Sequence, residues 1–314
     1  MSLVNKSNLD VANTAIITAV NSVFDGITEK PFQQFTTVTP AEGTSVDIVV
    51  VDGLPRPREW VSGSAKQYHS LRAYKKNIAR RKWEATFELD RIDLDGDKSG
   101  VVGQRAAAFA QRQGSAYDQV VTEALLANSI TSYNGQPLLS NSHPNVNGST
   151  YDNLTTSALS HAEFKTAMQT MELWTDENGE PLQCYGTTLM VGPANRQKAM
   201  EVTGSNRLVA VSNAGAQDAT SNVVAAGLLE NYIGGSVQVI VNPLFRSGAQ
   251  WFLFDLSKSV KPFGLAEWRK PEIISQLDMN SPSRFELDVY RWSLEFDASP
   301  YPLAPQYAYG SVTA

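Results

Sequence analysis

The chain has 314 residues, 42% of them hydrophobic and 18% charged, with a formal net charge of −6. That length allows two ordinary domains or one large elaborated one, and the apolar fraction excludes wholesale disorder. The acidic balance argues against a dedicated nucleic-acid binder, which needs a net basic face. Cys184, the only cysteine, rules out an intrachain disulfide and thiolate-rich zinc sites.

The opening stretch MSLVNKSNLDVANTAIITAV has no basic segment leading into an apolar one, and no run reaches the ~18 apolar residues of a membrane span. The expectation is a soluble intracellular protein without a membrane partner, whose sequons at Asn5, Asn147 and Asn153 go unused. Leu9, Ala12, Ile16, Ala19 and Val23 predict a helix over 8–24 behind Asn8. An extended run through KPFQQFTTVTP then reaches the β-branched stretch SVDIVVV. Alternate prolines in GLPRPREW forbid a helix and favour an extended arm.

Residues 64–89 mix aromatic and charged positions (Tyr68, Leu71, Tyr74, Ile78, Trp83, Phe87) and predict the two strands of one long hairpin. Between 54 and 91 stand ten bases: Arg56, Arg58, Lys66, Arg72, Lys75, Lys76, Arg80, Arg81, Lys82 and Arg91. Against them stand four acids, Glu59, Glu84, Glu88 and Asp90. This is the strongest charge asymmetry in the chain. A long hairpin is marginal alone and needs something to lie on. An acidic surface on a neighbouring copy is the natural candidate, so Arg56, Arg58, Trp60, Lys66, Arg72, Lys75, Lys76, Arg80 and Arg81 are the expected subunit contacts.

The turn DLDGDKSG reproduces the start of a calcium loop from Asp95 to Gly100, but Ala106 stands where the bidentate glutamate belongs. A long helix follows at roughly 101–128, with Ala106, Phe109, Ala110, Tyr117, Val120, Val121, Ala124 and Leu125 inward and Gly114 in its interior. The loop YNGQPLLSNSHPN gathers Ser140, Ser142 and His143. No G-x-S-x-G elbow accompanies them, and Pro144 restricts the backbone, so the histidine reads as a turn residue. A soluble hydrolase using His143 is the weakest of the functional alternatives.

Ser160 to Glu163 form a capping box for a helix whose face is Phe164, Ala167, Met168, Met171 and Trp174. TTLMV predicts a strand, Pro193 starts a short helix that Gly204 closes, and residues 205–235 suit an irregular surface stretch. VQVIV and WFLFD predict buried strands around the NPLFRSG turn. SRFELDVYRWSLEF alternates as a strand with Phe285, Leu287 and Val289 on one face, which the proline-rich tail PYPLAPQYAYG is expected to end. Neither a G-x-G-x-x-G nor a Walker loop is present, so no cofactor, metal or catalytic residue is expected.

Several short motifs occur in a telling order. They are Pro57-Arg58-Glu59-Trp60, Gly135-Gln136-Pro137-Leu138, His143-Pro144-Asn145, Asn178-Gly179-x-Pro181-Leu182, Val260-Lys261-Pro262-Phe263 and, more loosely, Pro305-x-Tyr307-x-Tyr309-Gly310-Ser311. With the order of elements, they resemble the major head (capsid) proteins of Mu-like tailed phages. The resemblance implies an α+β Hong Kong 97-type capsid fold: N-terminal arm 1–52, extended loop 53–98, peripheral domain 99–187 plus 271–314 built on the long helix, and axial domain 188–270. It implies a non-enzymatic subunit of an icosahedral phage head, assembled in the host cytoplasm from hexamers and pentamers. Separate scaffold and portal proteins and packaged double-stranded DNA, held by weak non-specific contact, would be its partners. Crosslinking through Lys66, Lys75 or Lys76 is not expected, and an encapsulin-like nanocompartment is the alternative that shares the fold.

Overall fold

The computed structural model describes residues 31–52, 57, 59–60, 62–66, 72–92, 111–144, 150–175, 181–204, 207–209, 228–230, 235–278 and 286–312, with positions 14, 17–18, 105 and 108–109. Among these, Thr14, Ile17 and Thr18 are helical, and the rest of the predicted 8–24 helix and the whole Asp95–Gly100 turn lie outside the described residues. The chain divides into two compact units, one of residues 1–49, 75–124 and 264–301, the other of 50–74, 125–263 and 302–314.

In the first unit, Pro31 opens a short helix, α1 (Pro31–Phe35), where an extended run was predicted; its ring costs nothing at a first helical position. Strand β1 (Thr36–Pro40) follows. The main sheet has the order β1-β12-β13-β4, with β4 at Lys82–Asp90, β12 at Phe263–Gln276 and β13 at Val289–Pro302. Strands β13 and β4 run antiparallel in unbroken register from Val289 opposite Asp90 to Asp297 opposite Lys82. On the inner face, Trp292 stacks on Phe87 at 5.2 Å and Phe296 meets Tyr117 edge-on at 5.2 Å. Tyr117 belongs to helix α2 (Ala116–Ala127), which also meets Phe32 of α1. Asp118, in the first turn of α2, accepts the Phe32 N–H at 2.7 Å and so joins the two helices.

Four expectations for this unit are corrected. The long helix is interrupted by a turn at Gly114–Ser115, where glycine's backbone cost is not offset, and α2 begins only at Ala116. Residues 64–89 do not make one hairpin. Strand β3 (Arg72–Ala79) pairs with β2 (Ser45–Asp52) in a separate two-stranded ribbon, whereas β4 pairs with β13. Strand β13 buries Tyr290, Trp292, Leu294 and Phe296, leaving Leu287 exposed, because Asp288 takes a left-handed φ of 56° and shifts the alternation. It also continues through Pro300 and Pro302, which the sequence pattern reads as its end.

The second unit is built on a mixed sheet of order β10-β7-β11-β14: Gln238–Val241, Thr188–Val191, Trp251–Phe254 and Ala308–Ser311. Strand β10 is parallel to β7, while β11 is antiparallel to both β7 and β14. Helix α3 (His161–Glu172) starts at Ser160, whose side chain accepts the Glu163 N–H at 3.1 Å. It buries Phe164, Ala167 and Met171 with Trp174, Leu189, Val191, Trp251 and Leu253, and Ala199 and Val202 of α4 (Arg196–Gly204) join the same core. Cys184 lies in this core too, and burial pushes its thiol up to about 12, as suits a packing residue. The sheet admits no side chain at Gly310: a Cβ there would overlap the Trp251 carbonyl oxygen and sit 3.0 Å from the Phe252 Cα. Gly310→Ala should therefore pry β14 from β11 and lower stability by about 3 kcal/mol in urea titrations.

Candidate functional site

The loop from Asn128 to Asn153 is where the sequence looks most like chemistry. Asn128, left-handed at the end of α2, clasps Leu139 through both backbone groups, donating from Nδ2 to its carbonyl at 2.7 Å and accepting its N–H at 3.1 Å. The turn that follows uses Gly135 at φ 82°, and Asn134 Oδ1 takes the Gln136 N–H. Leu138 and Leu139 are buried anchors. His143 and Pro144 form a two-residue strand, β5, against β6 (Thr150–Tyr151).

His143 is fully buried and stacks on Tyr151 at 4.7 Å. Its Nε2 faces the Leu138 carbonyl at 3.2 Å and Asn153 Oδ1 at 3.1 Å, both acceptors, while Nδ1 faces the Asn134 amide nitrogen at 2.9 Å. This pattern fits a neutral ring protonated at Nε2. Burial lowers the His143 pKa to about 4, against the smaller opposing pull of the hydrogen bonds to Leu138 and Asn153. Ser140 Oγ is engaged with Gln136 and Ser142 instead. No nucleophile–base pair is assembled, and both nitrogens of the ring are spent on holding the loop.

Asn153 is the residue that sequence reading missed, since it registers only as an unused sequon. Its Oδ1 accepts the Ser140 N–H at 2.7 Å, and its Nδ2 donates toward the carbonyls of Leu138, Pro305 and Ala308 at 2.8, 3.1 and 3.0 Å. No local pattern signals this, because its carbonyl partners at Pro305 and Ala308 lie far along the chain.

The expected contact residues are distributed differently. Trp60 is 57% exposed, donates its indole N–H to the Ser64 carbonyl at 2.9 Å and carries the Lys66 ammonium 5.4 Å from its ring centroid. Lys75 pairs with Asp47 across the ribbon at 2.7 Å, and with Asn77 it holds that exposed carboxyl below the usual range. Arg80 binds the buried Asp297 of its own subunit, Lys76 is half-buried and Arg81 is exposed. Arg56, Arg58 and the Arg72 side chain lie outside the described residues. Among the described residues no three His, Cys, Asp or Glu side chains group as a metal site, and no helix is long and apolar enough to cross a membrane.

This pattern of polar groups satisfied within the loop, beside a sheet of only two strands, suits a protein that works through interfaces. The model of the family described as phage capsid protein matches residues 73–310. The chain belongs to that family. As a capsid protein it is a structural shell subunit of a phage head, found in the virion, and self-associates there; it is not an enzyme. Its fold is similar to that of the procapsid of bacteriophage JBD30, at 17% identity and a TM-score of 0.54 over 99% of this chain and 77% of that one. It is also similar to the Microbacterium phage Oxtober96 structure, at 11% identity and 0.52 over 90% and 91%. A virus-like particle from Pyrococcus furiosus gives 10% identity and 0.51 over 94% and 97%. These likenesses establish the Hong Kong 97-type α+β fold. No curated protein sequence matches the chain.

The capsid protein's buried loop makes two predictions. Because the folded pKa of His143 is below its unfolded value of about 6.5, the neutral ring's contribution is complete above that pH and is lost as pH falls toward about 4. Thermal melts should show a steeper loss between pH 7 and 4.5 for wild type than for His143→Gln. Asn153→Ala strands several buried backbone groups and should cost about 3 kcal/mol or more by urea denaturation.

Proposed function

We propose that the chain is the major head subunit of a Mu-like tailed phage or prophage. It closes as pentamers and hexamers around double-stranded DNA, with separate scaffold and portal proteins, during assembly in the host cytoplasm. Supporting the Mu-like assignment are the motif order along the chain and the meeting of two central motifs, Gly135-Gln136-Pro137-Leu138 and His143-Pro144, through the bond between His143 and the Leu138 carbonyl. Packaged DNA would meet the inner shell surface by weak, non-specific contacts, as the net charge of −6 favours.

The observation that carries the mode of assembly is the ribbon. Strands β2 and β3 form a sheet of two, with Val49 and Trp60 57% exposed in and beyond it. A two-stranded ribbon of this kind is marginal in water and gains support from a neighbouring subunit. We assign residues 45–79 to this extended arm, the sheet β1-β12-β13-β4 with α2 to the peripheral domain, and the strands between 188 and 254 to the axial domain. Residues 308–311, expected in the peripheral domain, pair with Trp251–Phe254, and we group them with the axial strands.

Electron microscopy of the protein expressed with its genomic neighbours should show closed shells of uniform size. Replacing residues 55–70 by a short turn should leave a folded subunit that forms none. Normal shells from that deletion would remove the arm from the subunit contacts. A chain that stays monomeric beside its scaffold would overturn the reading as a whole, and particles filled with a cargo enzyme in place of DNA would convert it to a nanocompartment.

A further inference from the structure

Where β3 ends and β4 begins, the chain is bonded repeatedly to one short stretch of β13. Ser299 Oγ donates to the Ala79 carbonyl at 2.6 Å, the Ala298 N–H to the Arg81 carbonyl at 3.0 Å, and the Trp83 indole N–H to the Ala298 carbonyl at 2.8 Å. The Arg80 N–H donates to the carbonyl of Thr44, the residue before β2, at 3.0 Å. The β3 root of the ribbon is thus tied to one place on the main sheet, and the β2 root is tied to it through Arg80.

At the centre of this joint, the Arg80 guanidinium donates through Nε, at 2.9 Å, and Nη2 to the same Oδ2 of Asp297. The Asp297 side chain is 1% exposed, and its Oδ1 has no hydrogen-bond partner among the described residues. Arg269 stands 3.6 Å from Oδ2, with its other nitrogens committed to Glu295 at 3.0 Å and Glu272 at 3.1 Å. Arg269 Nε, itself without a hydrogen-bond partner among the described residues, lies beyond hydrogen-bond reach of Oδ2, so without Arg80 the desolvated carboxylate would keep a nearby charge but lose its hydrogen bonds.

We propose that Arg80 and Asp297 form a positioning clamp that fixes the direction in which the ribbon leaves the sheet and so sets how the subunit meets its neighbours. The proposal rests on the ribbon being the subunit-contact arm. An eight-residue strand reaches about 26 Å from its root, so a tilt of about 10° moves its tip by about 5 Å. Specific contacts must be held to within about 1 Å, so slack at the root is ruinous at the tip. The role of Arg80 differs from that of a surface base offered to a partner: its charge is consumed at home, and it acts on the interface through geometry.

The test is hydrogen–deuterium exchange on the unassembled subunit together with the size distribution of assembled particles. In Arg80→Ala, amides of residues 45–52 and 72–79 should exchange about tenfold faster than in wild type, while those of β7 and β11 keep their rates. Arg80→Lys, which keeps the charge but loses the two-pronged bond, should fall between, and it carries the test if Arg80→Ala does not fold. Particles of either variant should scatter in diameter or fail to close. Unchanged ribbon exchange overturns the clamp, and so do uniform wild-type shells built from a loosened ribbon. Failure of the wild type itself to form shells would count against the assembly role alone, since the exchange comparison reads the clamp without assembly.

Discussion

One buried carboxamide bonds to three stretches of chain at once, reinforcing the backbone bonds that Asn153 and its neighbours make to Ser140 and Gly310. Asn153 binds backbone groups of Leu138, Ser140, Pro305 and Ala308. Each of those groups would be costly to bury alone, and the amide satisfies them in one place. The loop after α2 therefore keeps its shape, and β14 is kept against β11, where Gly310 leaves no room for error. His143 completes the lock from the other side with a ring kept neutral by burial. Side chains that resemble a catalytic set are here spent on satisfying buried polar backbone.

The other unit is stiffened by aromatic contacts instead. Its sheet is long and internally cross-braced by Phe87 on Trp292, Trp83 on Phe296 and Tyr117 on Phe296. Tyr117 adds a 2.6 Å hydrogen bond to Glu267, and desolvation with that carboxylate drives its hydroxyl pKa upward, so it stays a donor. A shell subunit needs such stiffness because each interface is modest and closure sums many of them. Errors in angle add in the same way.

Much of this was legible in the sequence where the deciding forces are local. The Ser160 cap, the buried face of α3 and the short hydrophobic strands β7, β10 and β11 all follow from nearest-neighbour patterns. What escaped depends on distant partners. Strands β3 and β4 look like one hairpin around Arg80–Arg81 until β2 and β13 claim one each. Strand β12 went unseen because its outer half carries Arg269, Lys270, Pro271 and Glu272 and gains its place from β13. The inversion of β13 turns on a single left-handed aspartate, Asp288. At the candidate site the sequence reports ten bases but not the acids that Lys75 and Arg80 find 28 and 217 positions away, so charges that seem available for a neighbour are already neutralised.

The order of strands in the second sheet also has a meaning in time. Strand β11 sits between β7 and β14, and β14 is made more than fifty residues after β11. Until residues 308–311 emerge from the ribosome, the apolar strand Trp251–Phe254 presents an open edge, the kind of template on which chains aggregate. The nascent subunit thus passes its most adhesive moment just before its sheet is sealed. A product cut short before that strand would lack both the seal and the backbone carbonyl of Ala308 that Asn153 grips.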